Sequence, residues 1–187
     1  MTVTDVNVVK SAIFERPDDA NKGTLGSLLC VCGSYGMAGA AVMSAKGALR
    51  TGIGLAKCAL PRSIYPIVAQ TILESVYYPL SENADGRISK VNVPFLVSES
   101  CKSSATLIGC GLGVCDDTLK IVLSLIENST TPLVLDADAL NCVAKQPEIL
   151  LRKKAPIIIT PHPGEMSRLT GLATPLVNAE RERVALD

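Results

Sequence analysis

The 187-residue sequence has few of the residues that mark several functional classes. It has no Trp, four Tyr and two Phe, so aromatic residues make up only 3% of the chain. Eighteen Lys and Arg residues balance eighteen Asp and Glu residues, so the net charge does not favour nucleic acid or an anionic membrane as a partner. No stretch reaches the roughly 20 consecutive apolar residues that a membrane helix requires. We therefore expect neither a nucleic-acid partner nor a membrane partner.

The cysteines show no metal-binding or redox spacing. There are seven, an odd number, and no pair has the C-x-x-C spacing of zinc sites and thioredoxin-like motifs. Several lie within apolar runs, where a free Cys behaves as a small hydrophobic residue. The amino end carries charges throughout and lacks the apolar core of a secretory signal. We therefore predict a reduced, cytoplasmic protein and assign no metal site.

The apolar content and the alternation of elements predict the fold class. Apolar residues make up 48% of the chain, which excludes a disordered protein, and the length suits one domain. Strands are predicted at 27–33, 54–60, 74–80, 105–109, 132–135 and 156–160. Helices are predicted after them, including 61–70, 91–102, 116–127, 139–145, 163–170 and 178–187. This alternation predicts an α/β protein, with a mainly parallel central sheet and helices on both faces. We expect one domain over 1–187 that lacks its last elements, with 1–20 as a helical or irregular extension.

The only histidine, His162, follows the last predicted strand in a turn stiffened by Pro161 and Pro163. Pro163 suits the first position of a helix, and Glu165 is favoured by the helix dipole in the first turn. In open α/β sheets, ligands bind at the carboxyl ends of the strands. His162 is therefore a candidate ligand-binding residue. The alternative is a polar N-cap histidine without chemistry.

Two other turns are rich in glycine. Gly33, Gly36 and Gly39 do not form the G-x-G-x-x-G fingerprint, and no acidic residue follows at the required distance, so we discount a Rossmann cofactor site. A glycine turn at a helix amino end can still receive a phosphate or another polar group, or it can serve close helix packing alone. The glycines of 109–113 allow a backbone to approach a flat ligand.

Two further turns carry charged side chains. Asp136 and Asp138 stand two apart on an extended segment, so their side chains point to opposite sides and form a poor acid/base pair. Two acids without a third ligand are also weak evidence for a metal cage. One can bind ligand while the other caps a helix, or both serve only as a cap and a surface acid. Lys22, in the loop 21–26, either holds an anion or lies in a plain turn.

Four of these turns follow predicted strands of one parallel sheet, and they should gather at one edge. They are the turns at 33–40, 109–113, 136–141 and 160–165. Their convergence is stronger evidence for a site than any one of them.

Five stretches, within roughly 20 to 187, carry a resemblance to one family. They are Lys22-Gly23, Gly33-Ser34 with Gly39-Ala40-Ala41, Gly109-Cys110-Gly111-Leu112-Gly113, Asp136-Ala137-Asp138-Ala139-Leu140-Asn141 and Thr160-Pro161-His162-Pro163-Gly164-Glu165-Met166. Together they resemble the ADP- or ATP-dependent NAD(P)H-hydrate dehydratases, repair enzymes of the ribokinase-like superfamily. The resemblance implies that ADP or ATP, with Mg²⁺, phosphorylates the hydroxyl of NADHX or NADPHX. Loss of phosphate then restores the double bond. It also implies a homo-oligomer.

The resemblance also implies roles for particular residues. Ala40 or Ala41, Gly111 and the segment from His162 to Arg168 would line the hydrate substrate. That segment consists of His162, Pro163, Gly164, Glu165, Met166, Ser167 and Arg168. Asp136, Asp138 and Asn141 would shape the floor of the cleft.

The sequence departs from the family in the motifs of the nucleotide side. The family has a Lys-Gly strand end for the nucleotide and a G-G-x-G-D turn that carries the catalytic Asp, and neither occurs in these residues. We therefore expect an amino-terminal part that carries the substrate side, inactive alone, with the catalytic Asp beyond Asp187. Whether this chain is itself an enzyme stays open. The alternatives are a non-catalytic ligand-binding or assembly subunit and a small-molecule kinase such as a hydroxyethylthiazole kinase. The motifs DADALN and TPHPGEM argue against the kinase.

Overall fold

The computed structural model of the chain describes residue 7 and residues 17–186. The predicted extension over 1–20 lies outside the described residues, except for residues 7 and 17–20. The strands are β1 Ser27–Val31, β2 Leu55–Pro61, β3 Val76–Leu80, β4 Ala105–Ile108, β5 Leu133–Leu135 and β6 Ile157–Ile159. The helices are α1 Ala38–Arg50, α2 Tyr65–Thr71, α3 Val93–Cys101, α4 Asp116–Asn128, α5 Asp138–Val143, α6 Pro163–Thr170, α7 Thr174–Ala179 and α8 Arg181–Leu186. Two 3₁₀ turns span Lys90–Asn92 and Pro147–Arg152.

The six strands form one parallel sheet in the order β3-β2-β1-β4-β5-β6. In β1, Cys30 is paired with Cys58 of β2 on one side and with Leu107 of β4 on the other. The chain therefore winds outward from β1 in one direction, returns, and continues through β4 in the other. The reversal lies between β1 and β4, and this is the point at which open α/β sheets bind ligands.

Helices cover both faces of the sheet, as predicted. Leu29 and Val31 of β1 belong to one apolar core, whereas Cys30 and Cys32 belong to another. Successive strand residues point to opposite faces, so the two cores lie on opposite sides of the sheet. The first core contains residues of α3, α4 and α5, and the second contains residues of α1 and α2. The small residues of α1 allow this helix to approach the sheet closely.

The prediction of a helix starting at Pro61 is wrong. Pro61 is the last residue of β2 and is paired with Leu80, while α2 begins only at Tyr65. A proline is tolerated at the end of a strand, where its missing N–H interrupts no further ladder bond. Pro66, in the first turn of α2, occupies the favoured proline position instead.

Three other helix predictions need correction. The helix expected over 178–187 is divided into α7 and α8, because Glu180 leaves the helical region at φ −126°, ψ 38°, and residue 187 lies outside the described part. The helix expected at 139–145 runs from Asp138 to Val143, so Asp138 is its first residue and not its cap. At the start of α4, the sequence predicts Asp116 and Asp117 as caps of the helix over 116–127. The N-cap is instead Cys115, and both aspartates lie within the first turn.

Because the sheet is parallel, the turns after all six strands lie at one edge. The outer side of β6 pairs with no other strand among the described residues. Within residues 17–186, no helix combines the length and the apolar character needed to cross a membrane.

Candidate functional site

The turns after β1 and β4 are joined by two hydrogen bonds at the reversal of the sheet. The backbone N–H of Gly33 donates to the carbonyl of Cys110 at 2.9 Å. The buried Ser34 hydroxyl donates to the carbonyl of Gly111 at 2.8 Å. The two glycine turns predicted separately from the sequence therefore form one surface.

Gly111 lies against Ala40 at this junction. A Cβ atom at Gly111 would lie 2.6 Å from the Cβ of Ala40, and Gly111 has a φ of +68°. Only glycine fits both requirements without strain. Ala41 is 2% exposed and belongs to the core of α1 and β1. Of the two alternatives for the substrate wall, Ala40 is thus the residue at the turn.

The loop after β5 is fixed to both neighbouring strand ends. A Cβ at Gly109 would lie 1.7 Å from the carbonyl oxygen of Asp136, so the two backbones are in close contact. The Asp136 carboxylate accepts a hydrogen bond from the Thr160 hydroxyl at 2.8 Å and one from the Cys110 thiol at 3.3 Å. Asp136 therefore connects the turns after β4, β5 and β6.

A second chain of hydrogen bonds runs through Asp138. Its carboxylate accepts from the backbone N–H of Gly113 at 2.8 Å and from the side-chain amide of Asn141 at 3.4 Å. The Asn141 side-chain oxygen in turn accepts from Nε of Arg168 at 2.8 Å. Asp136 and Asp138 thus have different partners, and Asp138 joins the glycine turn to α5 and α6.

His162 is the N-cap of α6. Its Nδ1 accepts from the backbone N–H of Gly164 at 3.0 Å, and its own N–H donates to the Glu165 carboxylate at 2.9 Å. The other ring nitrogen, Nε2, lies 3.2 Å from the second oxygen of the buried Glu165 carboxylate. The capping geometry of the alternative interpretation is therefore confirmed. The ring is still 62% exposed, so one side of it remains accessible.

Three residues of the predicted segment make their contacts away from the glycine turns. Pro163 and Met166 line an apolar pocket of about 130 Å³ with Val177 and Val184 of α7 and α8. The Ser167 hydroxyl donates to the carbonyl of Leu172 at 2.6 Å, which holds the chain just beyond the last residue of α6 against the helix. The structure therefore brings Arg168 to Asn141 and Asp138, but not these three side chains.

Cys110 is a site residue that the sequence did not single out. A hydrogen bond from the Cys32 thiol lowers the pKa of Cys110 below the usual value, and one from Ser44 adds to this effect, while burial and the Asp136 carboxylate oppose it. The only signal in the sequence was its position between Gly109 and Gly111, and a cysteine in an apolar setting is ordinarily a packing residue.

Ala137, between the two aspartates, has a strained backbone. Its φ of 48° and ψ of −115° make it the only non-glycine residue with a positive φ among those that the structure describes. Such conformations cost about 1–3 kcal/mol and cluster at functional sites. The strained residue sets the directions of the carboxylates on either side of it.

The residues at this edge do not fit a Mg²⁺ cage. Across residues 17–186, no three His, Cys, Asp or Glu side chains are grouped closely enough to hold a metal ion. All four carboxylate oxygens of Asp136 and Asp138 already accept hydrogen bonds.

Comparison with known proteins assigns this arrangement to a family. The sequence model of the NAD(P)H-hydrate dehydratase family matches residues 28–186. The chain belongs to this family. The assignment confirms the resemblance drawn from the sequence and favours neither the kinase nor the non-catalytic subunit.

Several relatives of this family are similar over most of the chain. The bifunctional NAD(P)H-hydrate repair enzyme Nnr of Thermofilum pendens is 37% identical over 172 residues, which are 92% of this chain and 33% of that protein. The ADP-dependent (S)-NAD(P)H-hydrate dehydratase of Bacillus subtilis is 28% identical over 95% of this chain and 59% of that protein. The chain thus spans a third of the bifunctional relative and somewhat over half of the dehydratase.

Solved structures agree with the ribokinase-like fold. The ADP/ATP-dependent NAD(P)H-hydrate dehydratase of Bacillus subtilis, co-crystallised with ATP and Mg²⁺, matches with a TM-score of 0.73 and 28% identity. The match covers 94% of this chain and 58% of that one. The hypothetical protein SMU.573 of Streptococcus mutans matches with a TM-score of 0.82 and 25% identity, over 98% of this chain and 63% of that one. By name, the Bacillus subtilis dehydratase is ADP/ATP-dependent, and both it and the Thermofilum pendens enzyme act on NAD(P)H-hydrate.

Proposed function

We propose that this chain supplies the substrate-binding side of an enzyme that dehydrates NADHX and NADPHX at the expense of ADP or ATP. One observation carries the proposal: segments remote in the sequence meet at the reversal of the sheet. Gly111 lies against Ala40. Arg168 is linked to Gly113 by hydrogen bonds through Asn141 and Asp138. This surface belongs to a family named for its action on NAD(P)H-hydrate.

The glycine turn suits the flat, hydrated nicotinamide ring. Gly111 has no side chain and is buried against Ala40, whose half-buried methyl group leaves room for a flat ring beside the turn. The turn is held from below by the Ser34 hydroxyl. A preformed surface of this kind orients the hydroxyl of the hydrate and excludes water from its ring face without reorganisation.

Arg168 suits the negatively charged part of the dinucleotide. Its Nε is engaged by Asn141, which holds the guanidinium in one orientation and leaves the terminal nitrogens to donate outward. A planar guanidinium pairs well with phosphate oxygens. His162, the N-cap of the same helix, also presents an accessible side of its ring.

The nucleotide and Mg²⁺ enter the proposal from the family alone. When bound, they would supply the phosphoryl group that converts the hydroxyl of the hydrate into a leaving group. The described residues of this chain bind and orient the substrate. Because the G-G-x-G-D turn does not occur in these residues, we expect the 187-residue chain alone to bind the hydrate without turnover.

Substrate binding by the chain tests the proposal directly. Isothermal titration calorimetry with NADHX and NADPHX should show saturable binding to the parent chain. Ala40→Val should weaken this binding about tenfold, equivalent to 1.4 kcal/mol, because the added methyl groups cover the surface on which the ring lies. Ala48→Val is the matched control, two turns further along α1 and about 12 Å away, and should bind like the parent. Absence of binding, or equal binding by both variants, would overturn the proposal.

We also propose that the chain self-associates in a cytoplasmic setting. Ile158 of β6 is 58% exposed, and the outer side of this strand pairs with no other described strand. Such edges invite strand pairing between molecules. Light scattering should show a mass that rises with concentration, and Ile158→Lys should reduce it. A monomer across the whole concentration range would contradict this.

A further inference from the structure

A second pocket lies at the opposite edge of the sheet, where β1 and β2 begin. It has a volume of about 380 Å³, and its lining includes Lys22, Lys57, Lys102 and Ser104. It is far from the carboxyl ends of the strands, so it includes none of the four turns that follow strands and form the candidate site. Its size lies within the range of small-molecule sites.

The pocket has an excess of positive charge. Lys57 has a side chain only 13% exposed, and its Nζ lies 3.7 Å from Glu99 and donates to the Ser103 hydroxyl at 3.3 Å. Lys102 pairs with the same Glu99 carboxylate at 2.9 Å. This hydrogen bond from Lys102 lowers the pKa of Glu99, so the carboxylate is ionised at neutral pH. Lys57 and Lys102 share the Glu99 carboxylate, and Lys22 adds a third ammonium group to the pocket lining. Counted together, these four side chains carry an excess of two positive charges.

Close backbone packing fixes the loop that carries Lys22. A Cβ at Gly54 would lie 2.0 Å from the carbonyl oxygen of Lys22, so the loop lies directly on the start of β2. The Ser104 hydroxyl accepts from the backbone N–H of Ser27 at 3.0 Å, and its N–H donates to the Ser27 carbonyl at 2.9 Å. The lysines are thus arranged on a packed surface around the pocket, and like charges held in this way repel one another unless an anion lies between them.

We propose that this pocket binds a phosphate dianion, either free or as the terminal group of a small phosphorylated ligand. The two negative charges of the dianion match the excess of two positive charges. Lys22, Lys57 and Lys102 all line the pocket, and the charge of Lys57 is already oriented by Ser103 and Glu99. Of the two sequence interpretations of the loop 21–26, this selects the anion site over the plain turn.

Isothermal titration of the full chain with inorganic phosphate, at constant ionic strength, tests the proposal. Wild type should bind with saturation, and the double variant Lys22→Ala/Lys102→Ala should bind at least tenfold more weakly. Lys46→Ala, an exposed lysine on α1, is the matched control and should bind like wild type. Lys57 is left unchanged so that the half-buried Glu99 carboxylate keeps one charged partner when Lys102 is removed. Circular dichroism without phosphate checks that each variant is folded.

A competition arm distinguishes the sources of the phosphate group. If ADP abolishes the heat of phosphate binding, the pocket takes the phosphate of a nucleotide. If ADP leaves this heat unchanged, the pocket takes the free dianion. Both results support the site. Phosphate also stabilises proteins in general by exclusion from their surfaces. Equal phosphate effects in wild type, the double variant and Lys46→Ala would therefore overturn the proposal, as would the absence of saturable binding.

Discussion

The Asp138 carboxylate accepts a 2.8 Å hydrogen bond from the backbone N–H of Gly113. This contact joins the turn after β4 to the first residue of α5. Gly113 has a φ of +71°, which residues with a side chain rarely adopt, so its N–H is directed at Asp138 because this residue is glycine. The position of Arg168, two hydrogen bonds further along, depends on this contact.

Asp138→Ala should therefore destabilise the protein by about 2 kcal/mol, since hydrogen bonds to charged groups contribute about 1.5–3 kcal/mol. Asp138→Asn keeps an acceptor oxygen at the same place and should cost less than about 1 kcal/mol. Urea unfolding of both variants measures the difference, with Asp19→Ala in an exposed turn as the control. Equal losses for Ala and Asn would show that the Gly113 contact contributes nothing.

The cap of α6 gives a second prediction, which separates stability from binding. His162→Ala removes the acceptor for the Gly164 N–H and should cost about 1 kcal/mol, as for other N-caps. His162→Asn supplies a good capping side chain and should restore most of that loss. Thermal unfolding of the two variants is the measurement.

Substrate affinity for the same pair decides whether His162 also contacts the hydrate. If it does, both variants should bind NADHX roughly ten- to a hundredfold more weakly, at 1.4 kcal/mol per tenfold, although Asn restores stability. Unaltered binding by His162→Asn would remove His162 from the substrate surface and leave it only as a cap.

The sequence predicted the sheet well because most of the strands are short apolar runs followed closely by glycine, Asp or Pro. It did not predict where β2 ends, because Pro61 suits a strand end as well as a helix start. It gave the N-cap role of His162 only as an alternative, because histidine is not among the usual N-cap residues. The contact between Gly109 and Asp136 depends on how β4 and β5 align side by side, and the local sequence of neither strand carries this information. The role of Arg168 as the end of a hydrogen-bonded chain was hidden for the same reason.

The thiols provide a third prediction, because their burial and environments differ. Cys101 is exposed, whereas Cys30, Cys32, Cys58 and Cys142 are buried. Burial raises the pKa of Cys30 and Cys58, and the hydrogen bond from Cys32 lowers that of Cys110. A lowered pKa means more thiolate at neutral pH, and thiolate is the reactive form. Cys110 should therefore be alkylated at a lower pH than an ordinary thiol, and the four buried thiols only after unfolding.

Peptide mapping by mass spectrometry after iodoacetamide treatment at several pH values checks this order. Cys32→Ser keeps a hydroxyl donor at this position, and Cys32→Ala removes the donor, so the rate at Cys110 should fall most in the alanine variant at neutral pH. The rate at Cys101, measured in the same digest, is the internal control. Unchanged alkylation of Cys110 in both variants would show that Cys32 does not affect its thiolate.

The strain at Ala137 gives the last prediction. Its φ of 48° with ψ of −115° is a region that glycine enters without a steric penalty and alanine does not. Ala137→Gly should therefore remove a strain of about 1–3 kcal/mol, against which the greater freedom of glycine in the unfolded chain costs about 0.5–1 kcal/mol. The balance is a gain of about 1 kcal/mol, which raises Tm by roughly 2–4 °C in a domain of this size.

Ala48→Gly, within α1 at ordinary helical angles, is the matched control and should lower Tm, because only the entropic cost remains. Since the turn of Ala137 directs both neighbouring carboxylates, the more stable variant should not gain affinity for the hydrate. A loss of stability equal to that of Ala48→Gly would show that the Ala137 backbone stores no strain.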